Sequence, residues 1–476
     1  MPDTDRLRQR LRAAEQEHLL RFVDELDPAL RDALFAQLEA IDIEAIPSLV
    51  QRYVRAAPES AAPADIEPAP CHPRDPADPR MPWDAGACRR AGEALIRAGK
   101  IAAFTVAGGQ GSRLGYDGPK GCYPGGAVTE KPLFQCLADW IIAARERYDA
   151  AIPWCVMTSP LNHKATLEFF EAHDYCGLPR EDVIFFSQGV LPSFDMHTGK
   201  VLLAQKHEAA TNPDGHGGSL LALHASGALR ELATRGVEHI SYTQIDNPLV
   251  RVIDPVFIGL HTYDAASSGE MSSKMVPKAH AGEKVGVFCA AGGRVMVVEY
   301  SDMPEELSRA TNPDGALRFN AGSIAVHMIG RAFIERLNAG KGFALPYHRA
   351  EKKVACVDPE SGRPVVPAAP NAVKLEAFVF DAIPLCERSV VLETSRIEEF
   401  APIKNAEGAD SPETSRRVQT QRAAAWLEAC GVDVPRDADG EPDCTLEISP
   451  RTAMWAEDLR AEKTPRTIER GARTAL

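Results

Sequence analysis

The sequence predicts an α/β fold built on a mostly parallel sheet. Three observations carry this. Between residues 100 and about 390, short apolar runs alternate with amphipathic stretches of helical period. One such run, Ile101 to Val106, feeds directly into Ala107-Gly108-Gly109-Gln110-Gly111-Ser112-Arg113-Leu114-Gly115, followed by Pro119-Lys120. Another ends at Asp246-Asn247, and open parallel sheets present their ligand-binding groups at the carboxyl ends of strands.

Taken in order, the chain divides into three segments. In residues 1–98, Leu7, Leu11, Leu19, Leu20, Phe22, Val23, Leu30, Leu34 and Leu38 recur at helical spacing, and eight prolines between 57 and 82 mark a linker or a draped loop. Trp83 to Ala98 reads as a helix leading into the 101–106 strand. Residues 99–390 form the expected catalytic domain. In it, a helix starts near Lys131-Pro132, Trp154–Met157 and His239–Tyr242 read as strands, and Leu220 to Ala233 as one helix. Residues 391–476 are expected to form a C-terminal domain, with a polar loop at Ala409–Arg417 and a short strand within Thr445–Pro450.

Composition narrows the functional classes. The 476 residues are 45% hydrophobic and 25% charged, as in an ordinary soluble protein, and exceed what one core organises. A net charge of −14 opposes a broad nucleic-acid-binding surface, yet leaves room for a local cationic loop that holds phosphates. The 11 cysteines include no C-x-x-C pair, so neither a zinc knuckle nor a redox dithiol is indicated. The charged, helical start is unlike a signal peptide, and no apolar run approaches the ~18 residues of a membrane span. The expectation is a cytoplasmic protein without nucleic-acid or membrane partners, monomeric or a weak homo-oligomer.

The glycine loop carries the chemistry. Four glycines between 108 and 115 let the backbone turn sharply and approach a ligand, and successive amides in such a turn form an anion-binding concavity. Arg113 and Lys120 add positive charge, which suits a nucleoside triphosphate. A Walker loop is absent, and Leu114 stands where a dinucleotide fingerprint needs its third glycine. A plain structural turn is the alternative. Cys122 lies in the loop, but no general base can be assigned to it.

The pattern Gly-Gly-x-Gly-Ser-Arg-Leu-Gly followed by Pro-Lys resembles the signature of the eukaryotic-type UDP-sugar pyrophosphorylases, most of all the UDP-N-acetylhexosamine (UDP-N-acetylglucosamine) pyrophosphorylases. The resemblance covers roughly residues 95–425 and implies a Rossmann-like nucleotidyltransferase core of the GT-A-like type. It assigns Ala107, Gly108, Gly109, Gly111 and Lys120 to the nucleotide, with Arg113 and Lys120 as the catalytic cations. Phe185 to Pro192 resembles the uracil-contacting segment; Gln188 offers both a donor and an acceptor to a pyrimidine edge, or is simply a polar turn residue. Asn212-Pro213-Asp214-Gly215-His216-Gly217-Gly218 is a second glycine turn, with Gly215 on the nucleotide side. Here His216 replaces the sugar-contacting Asn of the acetylhexosamine enzymes, whereas Gly-His-Gly is the pattern of UDP-glucose and broad UDP-sugar enzymes.

The resemblance further makes Asp246 the carboxylate for nucleotide and metal; an Asp at a strand end can hold Mg²⁺ through one oxygen while phosphates and waters complete the octahedron. A helix N-cap is the competing role. Glu299-Tyr300 matches a sugar-contacting pair. Phe319-Asn320-Ala321-Gly322 matches a motif whose Asn contacts the N-acetyl sugar, with Ser323 where a second Asn is more usual. Pro370-Asn371-Ala372-Val373-Lys374 and Phe378-Val379-Phe380-Asp381 imply a phosphate contact at Lys374 and aromatic walls for the acetyl group at Phe378 and Phe380, although alternating aromatics in a strand by default serve the core. Lys404, in Phe400-Ala401-Pro402-Ile403-Lys404-Asn405, implies a second phosphate contact.

The implied reaction joins UTP and a sugar 1-phosphate, with Mg²⁺ or another divalent cation, to give a UDP-sugar and pyrophosphate. The attacking phosphate is already ionised, so positioning and charge neutralisation suffice. N-acetylglucosamine 1-phosphate is the expected sugar. The alternatives are a UDP-glucose or broad UDP-sugar enzyme and, from another class, a non-catalytic nucleotide-sugar-binding regulator.

Overall fold

Strands Ile101–Val106, Trp154–Thr158, Val183–Ser187 and His239–Gln244 run parallel, in the spatial order 239–101–154–183. The computed structural model describes residues 4–56, 63, 65–340, 344–460 and 464–476. The first two strands are buried along almost their whole length, which is why they read as continuous apolar runs rather than alternating ones.

Beyond this quartet the sheet turns antiparallel. Ala321–Gly330 pairs antiparallel with His239–Gln244, with Met271–Pro277 and with Val287–Ala291, which in turn pairs antiparallel with Arg294–Val298. Val391–Glu393 restores a parallel pairing, beside Met271–Pro277. The sheet is therefore mixed, and the expectation of a mostly parallel one holds for its first half alone. Strand connections of helical length made the first half legible; in the second half only Val287–Ala291 and Arg294–Val298 are joined by a short turn, while Ala321–Gly330 pairs with strands distant in sequence.

The chain groups into two compact units, each discontinuous in sequence. The larger comprises Ala61–Ser187, Leu220–Phe343 and Ala382–Leu476, the smaller Met1–Ser60, Gln188–Ser219 and Ala344–Asp381. The division follows neither residue 98 nor residue 390.

In the larger unit, helix Ala85–Arg97 is capped by Asp84, whose side chain accepts from Ala87 N–H. It crosses helix Pro255–Tyr263 backbone to backbone: a Cβ on Gly92 would lie 1.9 Å from Pro255 O, and one on Gly259 would lie 1.8 Å from Cys88 O. Helix Leu133–Tyr148 is the apolar centre, with Phe134, Leu137, Trp140 and Ile141 buried. The proline-rich stretch serves as an edge strap where it is described: Glu67–Pro68 pairs with Cys289–Ala290, and His72 exchanges hydrogen bonds with Val391 and Glu393. Prolines are tolerated at such an edge because no further strand needs their N–H. Residues 57–62 and 64 of that stretch lie outside the described residues.

Two expected elements differ. Leu220–Ala233 is two helices, Gly218–Ala225 and Ala228–Thr234, broken where Gly227 takes φ +85°. Ala409–Arg417 is not a loop throughout: helix Pro412–Ala429 begins inside it, with Ser411 and Thr414 forming a capping box and Pro412 at the first helical position. Its Trp426 and Leu427 bury against Leu446 and Ile448, and Thr445–Glu447 pairs in parallel with Arg473–Ala475.

In the smaller unit, helices Thr4–Ala13 and Pro28–Ala40 place Leu7, Leu11, Leu34 and Leu38 in one core with Phe194, Leu203, Val373 and Leu375. Strand Ala372–Glu376 lies between His348–Lys352 and Phe194–Asp195, and Val190–Pro192 pairs with Thr211–Pro213. Among the described residues, no helix is long and apolar enough to cross a membrane.

Candidate active site

In the larger unit the glycine loop leaves the 101–106 strand with a defined backbone orientation. Asn162 Nδ2 donates to Ala107 O at 2.9 Å and to Gly109 O at 3.2 Å, while its Oδ1 accepts from Ser159 N–H. Lys120 N–H also donates to Gly109 O. A trans peptide directs its N–H opposite to its C=O. With the carbonyls of Ala107 and Gly109 turned to Asn162, the amides of Gly108 and Gln110 point to the other side, as an anion cradle requires. Gly111 binds Gly118 O through its N–H and accepts from Leu114 and Tyr116, and Gly115 (φ +68°) closes the turn. Arg113 lies exposed in the short 3₁₀ turn Ser112–Leu114 and, among the described residues, makes no ion pair. The thiol of Cys122 is pushed up to about 12 by burial, which suits a packing residue.

Lys120 Nζ lies 3.5 Å from an Asp246 carboxylate oxygen, both side chains being largely buried. Asp246 caps no helix; it follows strand His239–Gln244, and its carbonyl accepts from Ile403 N–H at 2.8 Å. The next residue, Asn247, donates to Glu399 O at 2.6 Å and accepts from Ala401 N–H at 3.1 Å. The Asp246-Asn247 dipeptide thus anchors the segment that carries Lys404. One cavity is lined by Gln244, Asp246, Asn247, Ser323, Phe400 and Lys404. Asp410, which the sequence did not single out, lies 3.8 Å from Lys404 Nζ, and its carbonyl accepts from the N–H groups of Lys404 and Asn405. Its left-handed backbone (φ +55°) makes that closure possible.

Asn320 lies elsewhere. It lines a cavity with Arg80, Met275, Phe288, Arg318 and Glu393, whereas Ser323, three residues on, lines the cavity of Asp246 and Lys404. Just beyond Ser323 the strand bulges: its pairing with Met271–Pro277 shifts register between Ser273 and Met275, opposite Ala325, which takes φ +54°. Glu299 follows strand Arg294–Val298 and has Gly286 beside it; Tyr300 is about half exposed (49%).

In the smaller unit, Gln188 is buried and leads into strand Val190–Pro192. The glycine turn is tied to the segment after strand Ala372–Glu376, Gly217 N–H donating to Ala377 O and Ala377 N–H to Asp214 O. A Cβ on Gly215 would lie 2.4 Å from Ala377 O, so the turn and that segment meet through backbone alone. His216 Nδ1 accepts from Val379 N–H at 3.1 Å, which places the ring proton on Nε2. Its ring stacks on Phe378 (centroids 5.2 Å, planes 17° apart), Phe378 stacks on His348 (4.4 Å), and His348 Nε2 bonds Asp381 at 2.8 Å. Burial pushes His216 down to about 4, so the imidazole is neutral. Phe380 completes the cluster, 5.1 Å from Phe378. The strand ends at Glu376, so Phe378 and Phe380 are not alternating strand residues; both reach His216. Lys374 lies on that strand opposite Ala350.

The structure thus brings Lys120, Asp246 and Lys404 together in the larger unit, and His216, Phe378 and Phe380 in the smaller. Asn162, Ser323 and Asp410 were not among the expected site residues. Only Ser323 had a signal, as a neighbour of Asn320. Asn162 and Asp410 act through backbone carbonyls and a reversed φ, for which a single sequence carries no periodicity.

Comparison with known proteins places the chain in a family. A family profile described as UTP–glucose-1-phosphate uridylyltransferase matches residues 86–410. UDP-N-acetylhexosamine pyrophosphorylase-like protein 1 of Homo sapiens is 37% identical, over 95% of this chain and 93% of its own length. UDP-N-acetylglucosamine pyrophosphorylase of Saccharomyces cerevisiae is 36% identical over 78% and 77%. The crystal structure of uridine diphosphate N-acetylglucosamine pyrophosphorylase from Trypanosoma brucei superposes with a TM-score of 0.79 at 28% identity, covering 98% of both chains. On the profile match and the near full-length relatives, the chain belongs to the UTP–glucose-1-phosphate uridylyltransferase family.

Proposed function

We propose that this protein is a uridylyltransferase that forms UDP-N-acetylglucosamine and pyrophosphate from UTP and N-acetylglucosamine 1-phosphate. The observation that carries the reading is Lys120 paired with Asp246, which lines one cavity with Lys404, beyond the carboxyl end of a parallel strand and beside a glycine loop whose amides are already oriented. The four parallel strands with that loop are the part we read as a Rossmann-like, GT-A-like core.

In this mechanism the 108–111 loop and Lys120 hold the triphosphate, and Arg113 meets the β and γ phosphates from its exposed turn. Lys374 and Lys404 hold the incoming phosphate and the α-phosphate. The sugar phosphate oxygen attacks the α-phosphorus in line and pyrophosphate leaves opposite, with no protein nucleophile. Gln188 and Gly215 read the base, and His216, Phe378 and Phe380, with Glu299 and Tyr300, bind the sugar. A divalent cation would supply charge neutralisation for the phosphates. Asp246 is the residue that would hold it: among the described residues no three His, Cys, Asp or Glu side chains gather to hold a metal, and a single carboxylate fits a magnesium ion held mainly by substrate phosphates. We further read the protein as cytoplasmic and as a monomer or weak homo-oligomer.

His216 favours a second reading, a UDP-glucose or broad UDP-sugar enzyme, because a stacked imidazole replaces a side-chain amide in the glycine turn. Pyrophosphate release from UTP, measured with a panel of sugar 1-phosphates, decides between them. N-acetylglucosamine 1-phosphate is expected to have the highest kcat/KM. No release with any sugar would overturn the enzymatic reading in favour of a binding protein.

A further inference from the structure

We propose that Asp214 is a positioning residue for the nucleotide: its carboxyl group, wedged between Gly189 and Gly218, locks the Gln188–Gly189 turn to the Gly215–Gly218 turn. The inference rests on the reading above that Gln188 and Gly215 meet the base of UTP.

The wedge is tight. A Cβ on Gly189 would lie 2.5 Å from Asp214 Oδ2, and a Cβ on Gly218 would lie 2.2 Å from the carboxyl carbon and 2.3 Å from both oxygens. Only glycine on both sides leaves the carboxyl group its place. The backbone of Asp214 joins the same pieces: its N–H donates to Gly189 O at 3.3 Å, and its carbonyl accepts from Ala377 N–H at 2.7 Å. One residue therefore touches both turns and the segment leading to Phe378.

The carboxyl group is 5% exposed, and Oδ1 has no hydrogen-bond partner. Among the described residues no lysine or arginine pairs with it. The titratable groups beside it are Tyr347 and, on its own turn, His216, neither of them a cation at neutral pH. Burial without a counter-charge pushes the carboxyl up to about 7. Below that pH it is a neutral wedge. Above it, a desolvated negative charge stands in the lock with no counter-charge, and the two turns are expected to loosen.

The consequence is a pH dependence confined to nucleotide affinity. The test measures the Kd for UTP by calorimetry between pH 6 and 8.5 in wild type and in Asp214→Asn, whose amide keeps the shape and cannot ionise, with turnover measured alongside. The ratio of wild-type to variant Kd is expected near one at pH 6 and to rise about three- to tenfold by pH 8.5. Ionisation of UTP itself acts on both proteins and cancels in the ratio. kcat at saturating UTP is expected to change less than Kd at every pH. Gly189→Ala and Gly218→Ala, which displace the carboxyl group by steric contact, should weaken UTP binding already at pH 6 while leaving the KM for the sugar phosphate less affected; they carry the test if Asp214→Asn does not fold. A flat ratio, or alanine variants that bind UTP like wild type, would overturn the lock while leaving the proposed function intact. A wild type that binds no UTP would overturn both.

Discussion

Nδ1 of His216 is the acceptor of the Val379 N–H, at 3.1 Å, so the side chain that departs most from the acetylhexosamine pattern is fixed in one tautomer by the backbone next to Phe378. Its Nε2–H is left as the donor. An asparagine amide at this position would present both a donor and an acceptor.

That difference predicts a shift in sugar preference. His216→Asn should raise the ratio of kcat/KM for N-acetylglucosamine 1-phosphate over glucose 1-phosphate by about tenfold, the scale of one polar pocket contact. Steady-state kinetics with the two sugars check it. An unchanged ratio removes His216 from the sugar site.

The same residue predicts a direction for stability against pH. Its folded-state pKa, about 4, lies below the 6.5 of an unperturbed histidine, so the unfolded chain binds the proton more readily. The contribution to stability is complete above pH 6.5 and is lost as pH falls toward 4. Thermal melts of wild type and His216→Asn from pH 7 to 4.5 should show wild type losing more stability; parallel curves would contradict the half-buried, neutral ring.

Arg113→Ala and Lys120→Ala should each lower kcat by roughly 10²-fold, the usual cost of removing a preorganised charge contact. Lys120→Ala also leaves Asp246 without its 3.5 Å cationic neighbour. Pyrophosphate-release rates check both, and wild-type turnover in either would count against the triphosphate assignment.

Asn162→Ala removes the side chain that binds both Ala107 O and Gly109 O. It should cost about 1–3 kcal/mol in urea unfolding, as deleting a partner of buried carbonyls does, and raise the KM for UTP more than the KM for the sugar phosphate. Equal changes in the two KM values would place the effect in the fold at large.

Legibility followed the physics of each signal. The 101–106 and 154–158 strands and the glycine loop were readable because burial on both faces and turn chemistry leave local marks. The antiparallel half of the sheet was not, because register and direction are decided by distant partners such as Ala321–Gly330 rather than by local composition. The start of helix Pro412–Ala429 was legible in principle: Ser411, Pro412 and Thr414 are start signals, but the polar residues around them suggested a loop. Of the site, charged residues inside motifs could be named from sequence. Lys404 could not be placed beside Asp246 until Asn247 was seen to hold its segment through Glu399 and Ala401.

The carbonyls of the 107–109 loop are held by Asn162, a side chain of the protein's own. On the proposed function, a triphosphate would meet donors that already face it, and little conformational entropy would be lost on association. Rigidity before the encounter leaves more of the contact energy for the reacting geometry, and it makes the loop a faithful template for designing phosphate mimics.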